Sequence, residues 1–182
     1  MEQVHKEQIA LVEEAEKFGI SSSHTHRRQE ILSKSLNFRI AAVHKIATAE
    51  GSSTAGVDGM SIGTKSPEGT KIELVQWLKQ QINNPKNYKA SPVKRVYIPK
   101  TNGKKRPLGI PTIKDRTLQC LLNLTLLPLV EMTSDEQSYG YRPYRSAKNA
   151  IGAIRQELQT GLEKRWILDA DIKGFFYNIN HD

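Results

Sequence analysis

Two sets of residues in this sequence have types and spacing suited to chemistry: acids near its end and cations near its middle. The stretch Trp166-Ile167-Leu168-Asp169-Ala170-Asp171-Ile172 is a short apolar run that meets acids, followed by Lys173, Gly174, Phe175 and Phe176. That order predicts a strand delivering carboxylates to a rim. A carboxylate so placed can hold Mg²⁺, which takes one or two protein carboxylates and fills its other positions with water and phosphate oxygens. Asp171 is the candidate. An Asp at a strand end also serves as a turn or helix N-cap residue. Asp169, two residues back, shares its face of the strand, so pattern alone does not separate the two acids.

The cations are Lys94, Arg95, Lys100, Lys104, Lys105 and Arg106, grouped around Asn102-Gly103. Val93–Pro99 alternates as a strand and Lys105–Ile110 returns as its partner, and Asn-Gly between them predicts a two-residue type I′ turn. A two-stranded ribbon with cations at its tip can close over phosphates and neutralise charge on a transferring phosphoryl group. Further on, Ser138-Tyr139-Gly140-Tyr141-Arg142-Pro143-Tyr144-Arg145-Ser146 interleaves arginine with tyrosine, a pattern suited to stacking on bases and pairing with phosphates.

The elements that must position these groups are mostly helical. Val4, Leu11, Ala15 and Phe18 have helical spacing, with Gly19 as the stop. After a Ser-rich break over Ile20–Thr25, Leu32, Leu36, Ile40, Val43 and Ala47 predict one amphipathic helix ending at Gly51. Its other face, with Lys34, Arg39, His44 and Lys45, suits either RNA or solvent. Gly51–Gly69 reads as a loop whose Thr54-Ala55-Gly56-Val57-Asp58-Gly59 offers glycines for positive φ or close approach. Thr70 and Glu73 have capping-box spacing ahead of the stripe Leu74, Trp77, Leu78 and Ile82, which makes Trp77 a core residue rather than a stacking platform. Thr112 and Asp115 repeat that spacing before a helix from about Ile113 to Leu127, expected to be buried on most sides and to support the ribbon from beneath. Ser146 caps a last helix with Ala147, Ile151, Ile154 and Leu158 on its stripe and Gly161 as its stop.

The chain has 182 residues, 37% of them hydrophobic, and a net charge of +8, with pI ≈ 9.6. Such a composition suits a soluble globular chain with a polyanionic partner. The charge is uneven. Met1–Glu16 is acidic on balance, whereas Lys86–Lys114 contains basic residues and no acid, an asymmetry that favours nucleic acid over a merely solvated face. The single cysteine, Cys120, excludes an internal disulfide and a cysteine-cluster metal site. No apolar run reaches a membrane span. The N-terminus has neither an apolar signal core nor an Arg-rich transit pattern, so the expected location is the bacterial cytoplasm, or an organelle that itself encodes the protein.

Several of these pieces together resemble the reverse transcriptase/maturase proteins encoded by group II introns. Leu32–Gly59, ending Thr54-Ala55-Gly56-Val57-Asp58-Gly59, resembles their N-terminal extension. Arg95-Val96-Tyr97-Ile98-Pro99-Lys100 with Gly103–Thr112 and Asp115-Arg116 is similar to the first fingers block, and Ser138–Pro143 to the second. Asp171-Ile172-Lys173-Gly174-Phe175-Phe176 is similar to the block that holds the first catalytic aspartate. The resemblance implies an α+β fold, with a helical N-terminal extension over residues 1–55, then the fingers and start of the palm of a right-hand polymerase over 56–182. By the same resemblance Asp171 and the carbonyl of Ile172 would hold catalytic Mg²⁺ in a two-metal site completed by carboxylates beyond this chain. Lys100, Arg106 and Arg95 would hold the triphosphate of a deoxynucleotide, and Phe176 would exclude its 2′-hydroxyl. Lys94, Lys104, Lys105, Arg142 and Arg145 would contact nucleic acid, Arg142 near the templating base.

The sequence departs from the family at Tyr177, where an Asp is usual, and it stops at Asp182, before the Tyr-Ala-Asp-Asp type block. The expectation is the N-terminal part of a longer RNA-directed DNA polymerase, inactive alone, with intron RNA, an RNA template, a DNA primer and deoxynucleoside triphosphates as partners and no membrane. The alternative is an RNA-binding splicing factor without polymerase activity.

Overall fold

The structure is a computed structural model that describes residues 1–101, 103–160, 166–172 and 180. The chain forms two compact units, Met1–Thr133 and Ser134–Asp182. The first holds α1 (Glu2–Phe18), α2 (Ser23–Lys34), α3 (Leu36–Thr48), α4 (Glu68–Asn83), the ribbon β1 (Lys94–Pro99) and β2 (Lys105–Ile110), and α5 (Ile113–Thr133). The second holds α6 (Ala147–Thr160). Among the described residues no helix is long and apolar enough to cross a membrane.

One core runs through the first unit. Leu11 and Ala15 from α1, Phe38 and Ala42 from α3, Leu74 and Leu78 from α4, and Ile113 and Leu121 from α5 are buried together. Burial of Leu- or Phe-sized side chains, at about 1.5–3 kcal/mol each, is what holds these helices side by side. Residue 55 marks no break in this packing, since α1–α3 share their core with α4 and α5. Trp77 is half-buried against that core, as its place on the stripe predicts.

The helix expected from Leu32 to Gly51 is two helices. Ser35 has extended backbone, φ −63 and ψ 138, between α2 and α3, so the apolar series is not one stripe: Leu32 and Val43 are buried, while Leu36 and Ile40 lie half exposed. The Ser-rich break is shorter than expected because Ser22 caps α2, its hydroxyl accepting the Thr25 N–H at 3.2 Å. The capping box at Thr70 is unused. α4 already begins at Glu68, behind Pro67, with no side-chain cap.

Arg39 is a second correction. Instead of lying on a basic face it is buried, and its Nη1 donates to the Val75 carbonyl of α4 at 2.9 Å. A long side chain reaching a carbonyl in another helix is set by tertiary packing, which periodicity does not show.

α5 continues through Pro128. Proline has no N–H, so the Leu124 carbonyl loses its helical donor. The Gln8 side chain of α1 supplies one instead, Nε2 to Leu124 O at 2.7 Å, and Gln29 of α2 donates to Thr125 O at 3.2 Å. We expect Gln8→Ala to lower the unfolding free energy by about 1–2 kcal/mol, the cost of a carbonyl left without a donor. Urea denaturation checks this, and an unchanged midpoint would mean that water replaces Gln8 freely.

α5 is not buried on most sides. Leu122, Leu126 and Val130 form an exposed flank. Nor does it carry the ribbon on its back: in β1 and β2 only Val96 and Ile110 are even partly buried. The ribbon projects from the body, and its feet rather than its face hold it there.

Candidate functional site

The ribbon's register decides which cations act together. Lys94 pairs with Ile110, Val96 with Leu108 and Ile98 with Arg106; in the alternate pairs Arg95 faces Gly109, Tyr97 faces Pro107 and Pro99 faces Lys105. Directly opposed residues share a face of the sheet. One face therefore carries Lys94 and Arg106 beside Val96, Ile98 and Leu108, and the other carries Arg95, Tyr97 and Lys105. The Lys100 N–H donates to Lys104 O at 2.7 Å, which continues the alternation and brings Lys100 and Lys104 onto the face of Arg106. Arg95 does not join them, so the expectation that it grips the same triphosphate as Arg106 does not fit this geometry.

The turn also differs from the expected two-residue type. Gly103 donates its N–H to Lys100 O at 3.1 Å and has φ +76. The connection is a turn that starts at Lys100 and closes through a glycine in the left-handed region, a longer hairpin loop than type I′. Asn102 itself lies outside the described residues.

A single carboxylate holds both feet of the ribbon. Asp115, at the start of α5, is buried and accepts from the Tyr88 hydroxyl at 2.5 Å, the Thr112 hydroxyl at 2.6 Å and the Ser91 N–H at 3.3 Å. Thr112 in turn accepts the Asp115 N–H at 3.2 Å, so the capping-box spacing is realised here. Ser91 lies just before β1 and Thr112 just after β2. Burial raises the Asp115 carboxyl, but its donors Thr112, Tyr88 and Ser91 outweigh that and hold it below the usual value. The same burial, with the bond to Asp115, pushes Tyr88 up to about 12. Trp77 meets Tyr88 edge-on at 6.4 Å.

The glycine loop docks beside this clasp. A Cβ on Gly56 would lie 2.8 Å from Thr112 Cα and 3.0 Å from Pro111 O, so only glycine allows the approach, and Gly59 has φ +69. Both uses foreseen for these glycines occur. Arg116 secures the loop by donating to the carbonyls of Gly51, at 2.8 Å, and Thr54.

In the second unit Arg142 donates to the carbonyls of Asp135 at 2.5 Å and Ser138 at 3.0 Å, and Arg145 sits 5.6 Å from the Tyr139 ring centre. Tyr141 and Tyr144 are fully exposed and both have positive φ, 57 and 58. That backbone is costly for a bulky residue and tends to occur where function needs a side chain aimed outward. The sequence marks this stretch as suited to stacking on bases; what it does not show is the positive φ at Tyr141 and Tyr144.

Residues 166–172 are exposed and form no strand. A strand needs a hydrogen-bonding neighbour, and among the described residues the only sheet is β1 with β2. Asp171 and Ile172 thus have the oxygen donors Mg²⁺ prefers, but no cluster of three or more His, Cys, Asp or Glu that could hold a metal occurs among the described residues. Phe176, expected to select the sugar, lies outside the described residues.

Residues 98–182 match the family "Reverse transcriptase (RNA-dependent DNA polymerase)". The chain is 36% identical to protein YkfC of Escherichia coli over 74% of its own length and 35% of YkfC. It is 36% identical to the group II intron-encoded protein LtrA of Lactococcus lactis over 77% of its length, which is 22% of LtrA. It is 30% identical to a 91 kDa protein in the cob intron of Schizosaccharomyces pombe, over 79% of its length and 17% of that protein. The chain thus spans about a third or less of these relatives.

Proposed function

We propose that this chain, which matches the reverse transcriptase family over residues 98–182 and is similar to the group II intron-encoded protein LtrA, supplies the N-terminal extension, fingers and first palm segment of an RNA-directed DNA polymerase that also binds its intron RNA. The observation that carries the reading is the ribbon's tip and second strand, which lie inside the matched region, with Lys100 and Arg106 on one face beside Lys104. In this role Lys100 and Arg106 hold the triphosphate of an incoming deoxynucleotide. Arg95 and Lys105, with Tyr97 between them, meet the nucleic-acid strand on the other face. Tyr141 and Tyr144 offer rings for bases, and Phe176 keeps the 2′ side of the sugar closed.

Asp171, with the Ile172 carbonyl, would hold Mg²⁺ together with further carboxylates of the longer protein. When bound, the ion would neutralise charge at the transferring phosphoryl group. The test is primer extension on an RNA template by the full-length protein in Mg²⁺. Extension supports the polymerase; intron RNA binding without extension would support the splicing-factor alternative.

RNA binding by the 182-residue chain has its own signature. Affinity for structured RNA should fall steeply as salt rises, since each neutralised phosphate contributes a log–log slope of about −0.7 to −0.9. Replacing Lys104 and Lys105 together should flatten that slope by about 1 to 2 and weaken binding to all RNAs alike, because phosphate contacts position without reading sequence. Filter binding across a salt series measures both, and a salt-independent affinity would remove the proposal.

A further inference from the structure

Arg39 is a charge without a counter-ion among the described residues. Only 8% of it is exposed. Its Nη1 donates to Val75 O at 2.9 Å, its Nε is buried without a partner, and no carboxylate pairs with it among the described residues. A guanidinium stays charged in a protein, and a dehydrated charge is costly until an anion meets it.

The anion has a place to arrive. Arg39 lines an open groove of about 690 Å³ between α3 and α4 whose walls are Leu36, Ile40 and Val43 on one side and Ile72 and Val75 on the other. Leu36, Ile40 and Ile72 are 54%, 49% and 50% exposed, a concentration of apolar surface that marks binding sites. The rim carries His44, Lys71 and Lys79 against one acid, Glu68, which lies 3.8 Å from Lys71. Leu36, Ile40, Val43 and Ala47 on α3 and Glu68, Ile72, Val75 and Lys79 on α4 have the same spacing, so each wall is three turns long, roughly 16 Å.

We propose that the α3–α4 groove is a docking site for an acidic amphipathic helix of a partner protein. A Glu or Asp of that helix pairs with Arg39, and its apolar stripe covers Leu36, Ile40 and Ile72. RNA would answer the charge but leave the apolar walls wet, whereas an acidic helix answers both. A basic chain steers an acidic partner toward itself. The inference stands on the first unit alone and does not depend on polymerase chemistry.

The test uses the 182-residue chain and a panel of fluorescein-labelled helical peptides, each ~14 residues, about one turn longer than the groove at 1.5 Å per residue. Each has one leucine stripe, with glutamate at successive positions beside it, and a twin with glutamine. Anisotropy should find one register that binds, with its glutamine twin about tenfold weaker, as expected for losing a charge-assisted bond. Ile72→Asp, at a half-exposed position, should abolish binding, and Arg39→Gln should erase the preference for glutamate. If circular dichroism shows Arg39→Gln unfolded, Arg39→Lys should keep both the fold and the preference. No binding by any peptide, equal binding of the twins, or binding untouched by Ile72→Asp would overturn the proposal. So would displacement of the peptide by a single-stranded RNA whose own binding Ile72→Asp removes.

Discussion

Asp171→Asn in the full-length protein is expected to abolish primer extension while leaving RNA binding intact. Asparagine keeps the shape of the side chain and removes the negative charge Mg²⁺ requires. The ion's charge stabilisation is worth several kcal/mol, so at 1.36 kcal/mol per tenfold the loss should be about a thousandfold or more. Asp169→Asn is the control, because both acids are exposed in the same segment and the family resemblance assigns the metal to Asp171 alone. That variant should keep measurable extension. RNA binding, followed by the same filter assay, separates lost chemistry from lost folding. Extension surviving in the Asp171 variant, or lost only in the Asp169 variant, would put the active site on the wrong carboxylate.

Replacing Asp115 should have the largest effect on stability. Asp115→Asn replaces one carboxylate oxygen by an amide donor, which must face either the Tyr88 hydroxyl on Oδ1 or the Thr112 hydroxyl and Ser91 N–H on Oδ2, and it removes the charge to which all three now donate. The expected cost is about 3 kcal/mol, the range for hydrogen bonds to a charged group plus donors left unpaired. Tyr88→Phe, which removes one donor, should cost about 1 kcal/mol. Because the folded Asp115 carboxyl lies below its usual value, its contribution is complete above the unfolded pKa of about 3.9 and is lost as pH falls through the lower folded value. Tyr88 works in the opposite window: raised to about 12, it stabilises below its unfolded pKa of about 10 and that part is lost as pH climbs toward the folded value. Urea titrations followed by tryptophan fluorescence should therefore show the parent losing stability toward both extremes more steeply than Asp115→Asn. Parallel pH profiles for the two proteins would show that the clasp is not what holds the ribbon's feet.

What the sequence made legible is what local physics decides. The bounds of β1 and β2 follow from alternation, the start of α5 from Thr112 and Asp115, and the close approach at Gly56 from its lack of a Cβ. The misreadings share one cause. Leu32 and Leu36 continue a helical series across Ser35, and only the observed backbone shows the break. Arg39 looked like a surface cation because nothing near it in sequence is the Val75 carbonyl. Residues 166–172 have strand chemistry, but pairing is a property of two segments. Nothing around Tyr88 in the sequence marks it for the clasp, since its partner Asp115 is 27 residues away. Arg95 is by sequence a candidate for the same triphosphate as Arg106, and only the register shows that the two lie on opposite faces.

The proline in α5 also sets a timetable. Gln8 is 116 residues from the carbonyl it satisfies, and a ribosome adding about 5–20 residues per second makes that interval roughly 6 to 23 seconds. For that time α1 is outside with Leu11 and Ala15 lacking their partners on α5, and α2 and α3 are the elements able to shelter them. Until Pro128 has been synthesised, the native contacts open to α1 are those with α2 and α3, such as Arg28 with Glu7. Slow decoding between α1 and the end of α5 would lengthen the exposure.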